Sequence, residues 1–194
     1  ARVRPDEGEA KALIFAGALA SVEPDADQAV LLWKLARQRS TKAVAVQAGR
    51  SGSFFSRSVT PAPELPRGRE IERLRRQFAV LGFLTDRHPI ILFSDKLAGK
   101  GLVKAADLGR HVGRRVRVAG WLITGKLVST KTDEPMEFLT FEDDTALVET
   151  TFFPGVYRRF CRMLDWGRPY ILAGRVEEDF GAATMTVDQV SILS

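Results

Sequence analysis

The stretch Met136–Leu164, MEFLTFEDDTALVETTFFPGVYRRFCRML, reads as four consecutive elements. Met136 to Glu142 alternates and predicts a strand with Leu139 and Phe141 on one side, Phe138 and Thr140 on the other. Asp143-Asp144 supplies a turn, and Ala146 to Phe153 predicts a second strand, with Val148, Thr150 and Phe152 inward and Phe153 outward near its end. Pro154-Gly155 stops that strand. Val156 to Leu164 then places Val156, Phe160, Met163 and Leu164 at helical spacing. Upstream, Arg114 to Thr124 (RRVRVAGWLIT) alternates early, and Gly120 and Gly125 permit a strongly bent strand. Downstream, Pro169 to Phe180 and Ala183 to Leu193 predict a hairpin around Phe180-Gly181.

Three strands, a helix and two more strands is the order of a five-stranded Greek-key OB-fold barrel, whose helix lies between the third and fourth strands. The expected fold is therefore a mainly β C-terminal barrel preceded by a small α-helical N-terminal region. In that region Ala10 to Leu19 predicts a helix closing near Gly17, and Gln28 to Gln38, with Asp27 as its N-cap, predicts a second helix forming a hairpin with the first. Glu70 to Leu84 returns to helical period through Ile71, Leu74, Phe78 and Leu81, and Gly82 marks its end. The expected organisation is a helical hairpin over 1–39, a basic Pro/Gly/Ser-rich linker over 40–69, a helix and connecting segment over 70–110, and the barrel over 111–194. Phe54-Phe55 interrupts the linker as an apolar pair for docking on a neighbouring surface.

The chain has 194 residues, 45% hydrophobic and 27% charged, which excludes disorder of the whole chain. No run of roughly 18 apolar residues is present, and the first ten residues lack a signal peptide's apolar core, so a cytoplasmic protein without a membrane partner is expected. The net charge of +5 is concentrated: between Ser40 and Arg69 five cations (Lys42, Arg50, Arg57, Arg67 and Arg69) face Glu64 alone. From Lys100 onward the charges balance, so a polyanion would be met there by local clustering rather than by a uniformly basic surface.

Catalytic and metal chemistry find little to work with. Cys161 is the single cysteine and reads as packing; His88, followed by proline, reads as a turn residue and His111 as a surface one. The acidic runs Glu142-Asp143-Asp144 and Glu177-Glu178-Asp179 supply clustered carboxylates for a divalent cation, and solvated strand ends are the simpler reading. No metal site, no cofactor and no enzyme activity of this chain are expected.

A barrel of this type binds single strands with aromatic faces for bases and cations for phosphates. By parity the candidates are Phe138, Thr140, Phe153 and Trp121, with Arg115 and Arg117 on the outward side of the first strand and Lys126 and Lys131 flanking the loop to the second. Glu137 and Glu149, read as outward on the same face, limit affinity for phosphate. The expected affinity for single-stranded DNA is micromolar or weaker.

Several stretches resemble the end of the bacterial DNA polymerase III α subunit and its error-prone paralogues. They are Val116-Arg117-Val118-Ala119-Gly120, Lys131, Phe138 to Asp143, Glu149 to Tyr157 and Leu172-Ala173-Gly174-Arg175-Val176. Leu81-Gly82-Phe83 and His88-Pro89-Ile90 resemble the passage before that family's barrel, with Arg87 where the family has glycine. Leu13 to Leu19 resembles the end of its helix-hairpin-helix region. The resemblance implies a non-catalytic tail of such a polymerase, contacting single-stranded template, while the family's catalytic carboxylates belong to a palm domain outside this region. Two other functions remain open: a module docking other replisome subunits without touching DNA, and an anticodon-type domain for folded RNA.

Overall fold

The computed structural model describes residues 5–24, 26–47, 63, 65 and 68–193, and the chain divides into two compact units at Leu84/Thr85. In the first, helix α1 (Glu7–Ala16) begins at a capping box: the Asp6 carboxylate accepts from Glu9 N–H at 2.8 Å while Glu9 accepts from Asp6 N–H at 2.8 Å. Gly17, at φ 82, ends it as expected. Helices α2 (Gln28–Gln47) and α3 (Glu70–Leu81) supply side-chain caps for its C-terminal carbonyls. Gln28 Nε2 donates to Ile14 and Phe15 carbonyls at 3.4 Å each, and Gln77 Nε2 donates to Ala16 carbonyl at 2.9 Å. Gly82 ends α3 with φ 77.

Helix α2 runs past the expected end at Gln38, so residues 40–47 are helix rather than linker. Ala43 to Gln47 carry no glycine or proline that would stop it. The rest of the expected linker, including Phe54-Phe55, lies almost wholly outside the described residues. The expected connecting piece 70–110 falls on both sides of the division, with α3 packed on α1 in the first unit.

The second unit is a closed five-stranded barrel with strand order β1-β2-β3-β5-β4. Its strands are β1 (Arg115–Ser129), β2 (Pro135–Glu142), β3 (Leu147–Phe152), β4 (Pro169–Asp179) and β5 (Ala182–Ile192). All pairings are antiparallel except the short β3–β5 closure, where Glu149, Thr150 and Thr151 face Thr184, Met185 and Thr186. β1 is longer than its alternation indicated. Its first half, to Trp121, pairs with β4 and its second half, from Trp121, pairs with β2, with a bulge between Leu122 and Thr124. At Gly120 a Cβ would lie 2.8 Å from Phe141 Cβ, so the close approach of β2 needs glycine there.

The inward rows, among them Val118, Phe141, Val148, Phe152, Leu172, Val176 and Met185, fill the barrel. Two lids complete it. One is helix α5 (Pro154–Phe160), whose Phe160 enters the core and which continues as a 3₁₀ turn, Cys161–Met163. The other is a 3₁₀ turn over Ala105–His111, contributing Ala105 and Leu108, in which His111 is half-buried rather than on the surface. The Tyr170 hydroxyl, buried with the core, donates toward the Met163 and Asp165 carbonyls at 3.0 and 3.2 Å and accepts from Asp165 N–H at 2.7 Å. Burial pushes its pKa above the usual phenol value.

Candidate nucleic-acid interface

Every second residue of a barrel strand points outward, so a ligand face exists only where the outward rows are left uncovered. One arc of this barrel is covered by its own chain. A 3₁₀ turn at Pro89–Phe93, helix α4 (Ser94–Leu97) and Leu102 lay Ile90, Phe93, Leu97 and Leu102 over the outward Ala119, Ile171 and Leu193. Trp121 belongs to this arc. It points out of the barrel, as its parity predicts, yet it is only 7% exposed, with the rings of His88 and Phe93 edge-on at 6.4 and 6.3 Å. It offers no face to a base, because the covering segment lies some thirty residues earlier and alternation along β1 does not reveal it.

His88 fastens the cover. Its Nδ1 accepts from Ile90 N–H at 3.1 Å, which leaves the proton of the neutral ring on Nε2, 3.0 Å from Glu142 Oε1. The acidic run at the β2–β3 turn is likewise absorbed by structure. The Asp143 carboxylate accepts from the N–H groups of Ala105, Thr145 and Ala146 at 2.9, 2.7 and 3.1 Å and from the Thr145 hydroxyl, while Asp144 pairs with Lys104. Burial works against the Asp143 charge, but those donors together hold its pKa below the ordinary carboxylate value. Among the described residues no group of three His, Cys, Asp or Glu side chains is placed to hold a metal ion.

Among the described residues, one arc left open by that cover is the second half of β1 with β2 and β3. Register sets two outward rows across it: Lys126, Phe138, Thr151 and Thr186, then Thr124, Thr140, Glu149 and Thr184. Phe138 is 46% exposed at the centre of the first row. Phe153, one residue past β3 on the outward side, is 48% exposed, and Lys131 stands on the β1–β2 loop. Neither Lys126 nor Lys131 has a carboxylate partner among the described residues. Glu149 lies on this arc as expected. Glu137 does not: it shares the side of Leu139, its carboxylate near Gly125, and burial raises its pKa.

Arg115 and Arg117 stand elsewhere. They lie on the first half of β1 opposite Arg175 and Ala173 of β4, and nine residues of strand, roughly 30 Å of path, separate Arg117 from Lys126. Arg115 is bound through two nitrogens to Asp188 at 2.8 and 2.6 Å, and Arg117 Nη1 donates to the Lys100 carbonyl at 3.2 Å. The sequence candidates thus separate into Lys126, Lys131, Phe138, Thr140 and Phe153 on the open arc, two arginines around the barrel, and Trp121 beneath the cover.

Residues 116–193 match the profile of a family described as an OB-fold nucleic acid binding domain. The barrel is an OB-fold domain. Beyond it, the chain is 33% identical over 94% of its length to an error-prone DNA polymerase of Anaeromyxobacter sp. (strain K), and 28% identical over 86% to the DNA polymerase III subunit alpha of Bacillus subtilis (strain 168). It is homologous to a segment of these polymerases, the ones its sequence resembles, and spans 15% of the length of each. Among solved structures, a domain of replication protein A from Methanococcus maripaludis is 18% identical at a TM-score of 0.39, covering 46% of this chain and 92% of that one.

Sequence parity misses two exposed rings of this OB-fold domain, Trp166 between α5 and β4, 59% exposed, and Phe180. Phe180 is fully exposed at the tip of the β4–β5 hairpin, with φ 48 followed by Gly181 at φ 81. Two positive φ values in succession are the signature of a type I′ turn, where Asn-Gly is the ordinary choice. A phenylalanine in the left-handed region, its ring in solvent, breaks the local rule, and that broken rule was the available signal. The hairpin tip flanks the open arc at the Leu147 end of β3, as the Lys131 loop flanks it at the Phe153 end.

Proposed function

We propose that this OB-fold domain is a non-catalytic module of a cytoplasmic DNA polymerase that holds single-stranded template on the open arc of β1, β2 and β3. The observation that carries the reading is Phe138, exposed at the centre of an arc that the covering segment 88–102 leaves open, between Lys126 and the threonine hydroxyls of β3 and β5. A base stacked on Phe138 gains about 1–3 kcal/mol irrespective of its identity. Lys126 and Lys131 supply phosphate contacts, and Phe153 and Phe180 extend the stacking surface toward its two ends. With two cations and with Glu149 on the same arc, the affinity is weak, and the salt dependence is shallow at about 0.7 of a log unit per phosphate contact. A non-catalytic role is supported by the carboxylates Glu142, Asp143 and Asp144, which are held in structural hydrogen bonds and ion pairs.

Titration of a fluorescent oligodeoxynucleotide at low salt tests this. A dissociation constant in the micromolar range or weaker is expected, raised about fivefold or more by Phe138→Ala and raised also by Lys131→Ala. No anisotropy change at high protein concentration, or an affinity indifferent to both substitutions, refutes it and leaves docking of other replisome subunits as the function. Preference for transfer RNA over single-stranded DNA points to the anticodon-type alternative instead.

A further inference from the structure

Two arginines that the stacking arc does not use converge on a separate recess. A pocket of about 230 Å³ opens on the β1–β4–β5 side of the barrel, lined by Arg117, Arg159, Gln189 and Ser191 over an apolar floor that includes Ile171 and Phe160. No carboxylate lines it. The nearest one along β5, Asp188, is engaged by Arg115 through both oxygens. Each guanidinium is already positioned. Arg117 spends one N–H on the Lys100 carbonyl at 3.2 Å, and Arg159 lies over the Phe160 ring at 4.9 Å, with no carboxylate partner for either among the described residues. Gln189 adds a neutral amide donor, while the Ser191 hydroxyl rests on the Ile171 carbonyl at 3.5 Å. Two held guanidiniums and an amide around a concave, carboxylate-free surface match the oxygens of a phosphate group.

We propose that this recess is a phosphate-binding pocket, distinct from the stacking arc, taking either a phosphodiester of a nucleic-acid strand or a free phosphate. Only the strand arm rests on the nucleic-acid function proposed above. The test follows the arginine Nε–Hε signals and the Gln189 amide of the full chain by NMR during titration with inorganic phosphate and, separately, with a short oligothymidylate. The wild-type chain, the double variant Arg117→Gln/Arg159→Gln and Phe138→Ala are compared.

Saturable shifts of Arg117, Arg159 and Gln189 are expected and lost in the double variant; with inorganic phosphate they are unchanged in Phe138→Ala, and with the oligothymidylate that variant shifts their midpoint to higher concentration. If the oligonucleotide produces them, the double variant also lowers the salt slope of strand binding by about 1.4, two contacts at roughly 0.7 each. Shifts with phosphate alone assign the pocket to a free phosphate. Absent or non-saturating shifts with both probes overturn the proposal, and this readout needs no variant to fold. Because shifts at Phe138 and at the recess are separate signals, failure of the stacking arc and failure of the pocket are told apart.

Discussion

Burial opposes the charge of Asp143, yet donors from Ala105, Thr145 and Ala146 hold its pKa below the ordinary value. A carboxyl whose folded pKa is depressed contributes stability that is complete above its unfolded pKa, about 3.9, and disappears as the pH falls through the folded value. Asp143→Asn is therefore expected to lose about 1–3 kcal/mol at neutral pH and to flatten the acid limb of the stability curve, as read by urea denaturation between pH 7 and pH 3; an unchanged limb removes Asp143 from the account of acid stability. Its turn was legible in the sequence. Its partner Ala105 was not, because the bond joins residues 38 apart. Phe180 poses the opposite case, a residue whose local conformation is unfavourable while its ring does no packing. Phe180→Asn is expected to stabilise the domain by up to about 1 kcal/mol, since Asn accepts the left-handed region, and to weaken oligonucleotide binding. A thermal melt and an anisotropy titration read the two effects, and a variant that binds unchanged removes Phe180 from the interface.

At the scale of elements, the strands bend where glycine admits a neighbour. A Cβ on Gly174 would lie 2.1 Å from the Thr186 carbonyl oxygen at the β4–β5 irregularity, and backbone has no room to yield there. On Gly120 it meets Phe141 Cβ at 2.8 Å, and on Gly125 the flexible tip of Leu139 at 2.4 Å. Alanine substitutions should therefore rank Gly174 as most destabilising, about 3 kcal/mol or more, then Gly120, then Gly125 at about 1 kcal/mol. Chemical denaturation gives the order, and a Gly125 variant worse than Gly174 contradicts it. Gly120 and Gly125 read as permitting a bent first strand, and its irregularity lies between them, at Leu122/Thr124; the order of the five strands was legible too. The sequence did not show that β1 continues to Ser129, because Gly125, Lys126 and Ser129 are poor strand signals on their own and are held there by pairing with β2. That extension is what brings Lys126 beside Phe138, so the cation next to the central ring depended on a long-range pairing no local pattern carries.

For the molecule as a whole, the face available to a ligand is fixed by what the chain lays over its own barrel. Phe138 and Trp121 have equal claims by outward parity, and only the segment 88–102 separates them, burying one and leaving the other. This is why alternation found the open arc and overcounted it. The second unit contains both the barrel and that cover, so residues 85–194 alone should fold cooperatively and bind an oligonucleotide as the whole chain does. Starting the chain at residue 103 strips Ala119, Trp121, Ile171 and Leu193 and removes the His88–Glu142 bond. The exposed apolar area, dominated by an indole, corresponds to about 3–5 kcal/mol, a large share of the roughly 5–15 kcal/mol that holds a domain folded. Urea titration of the two fragments measures the difference. Equal midpoints would mean that the cover contributes nothing to the barrel, and Trp121, exposed in the shorter fragment, would then compete with Phe138 for bases.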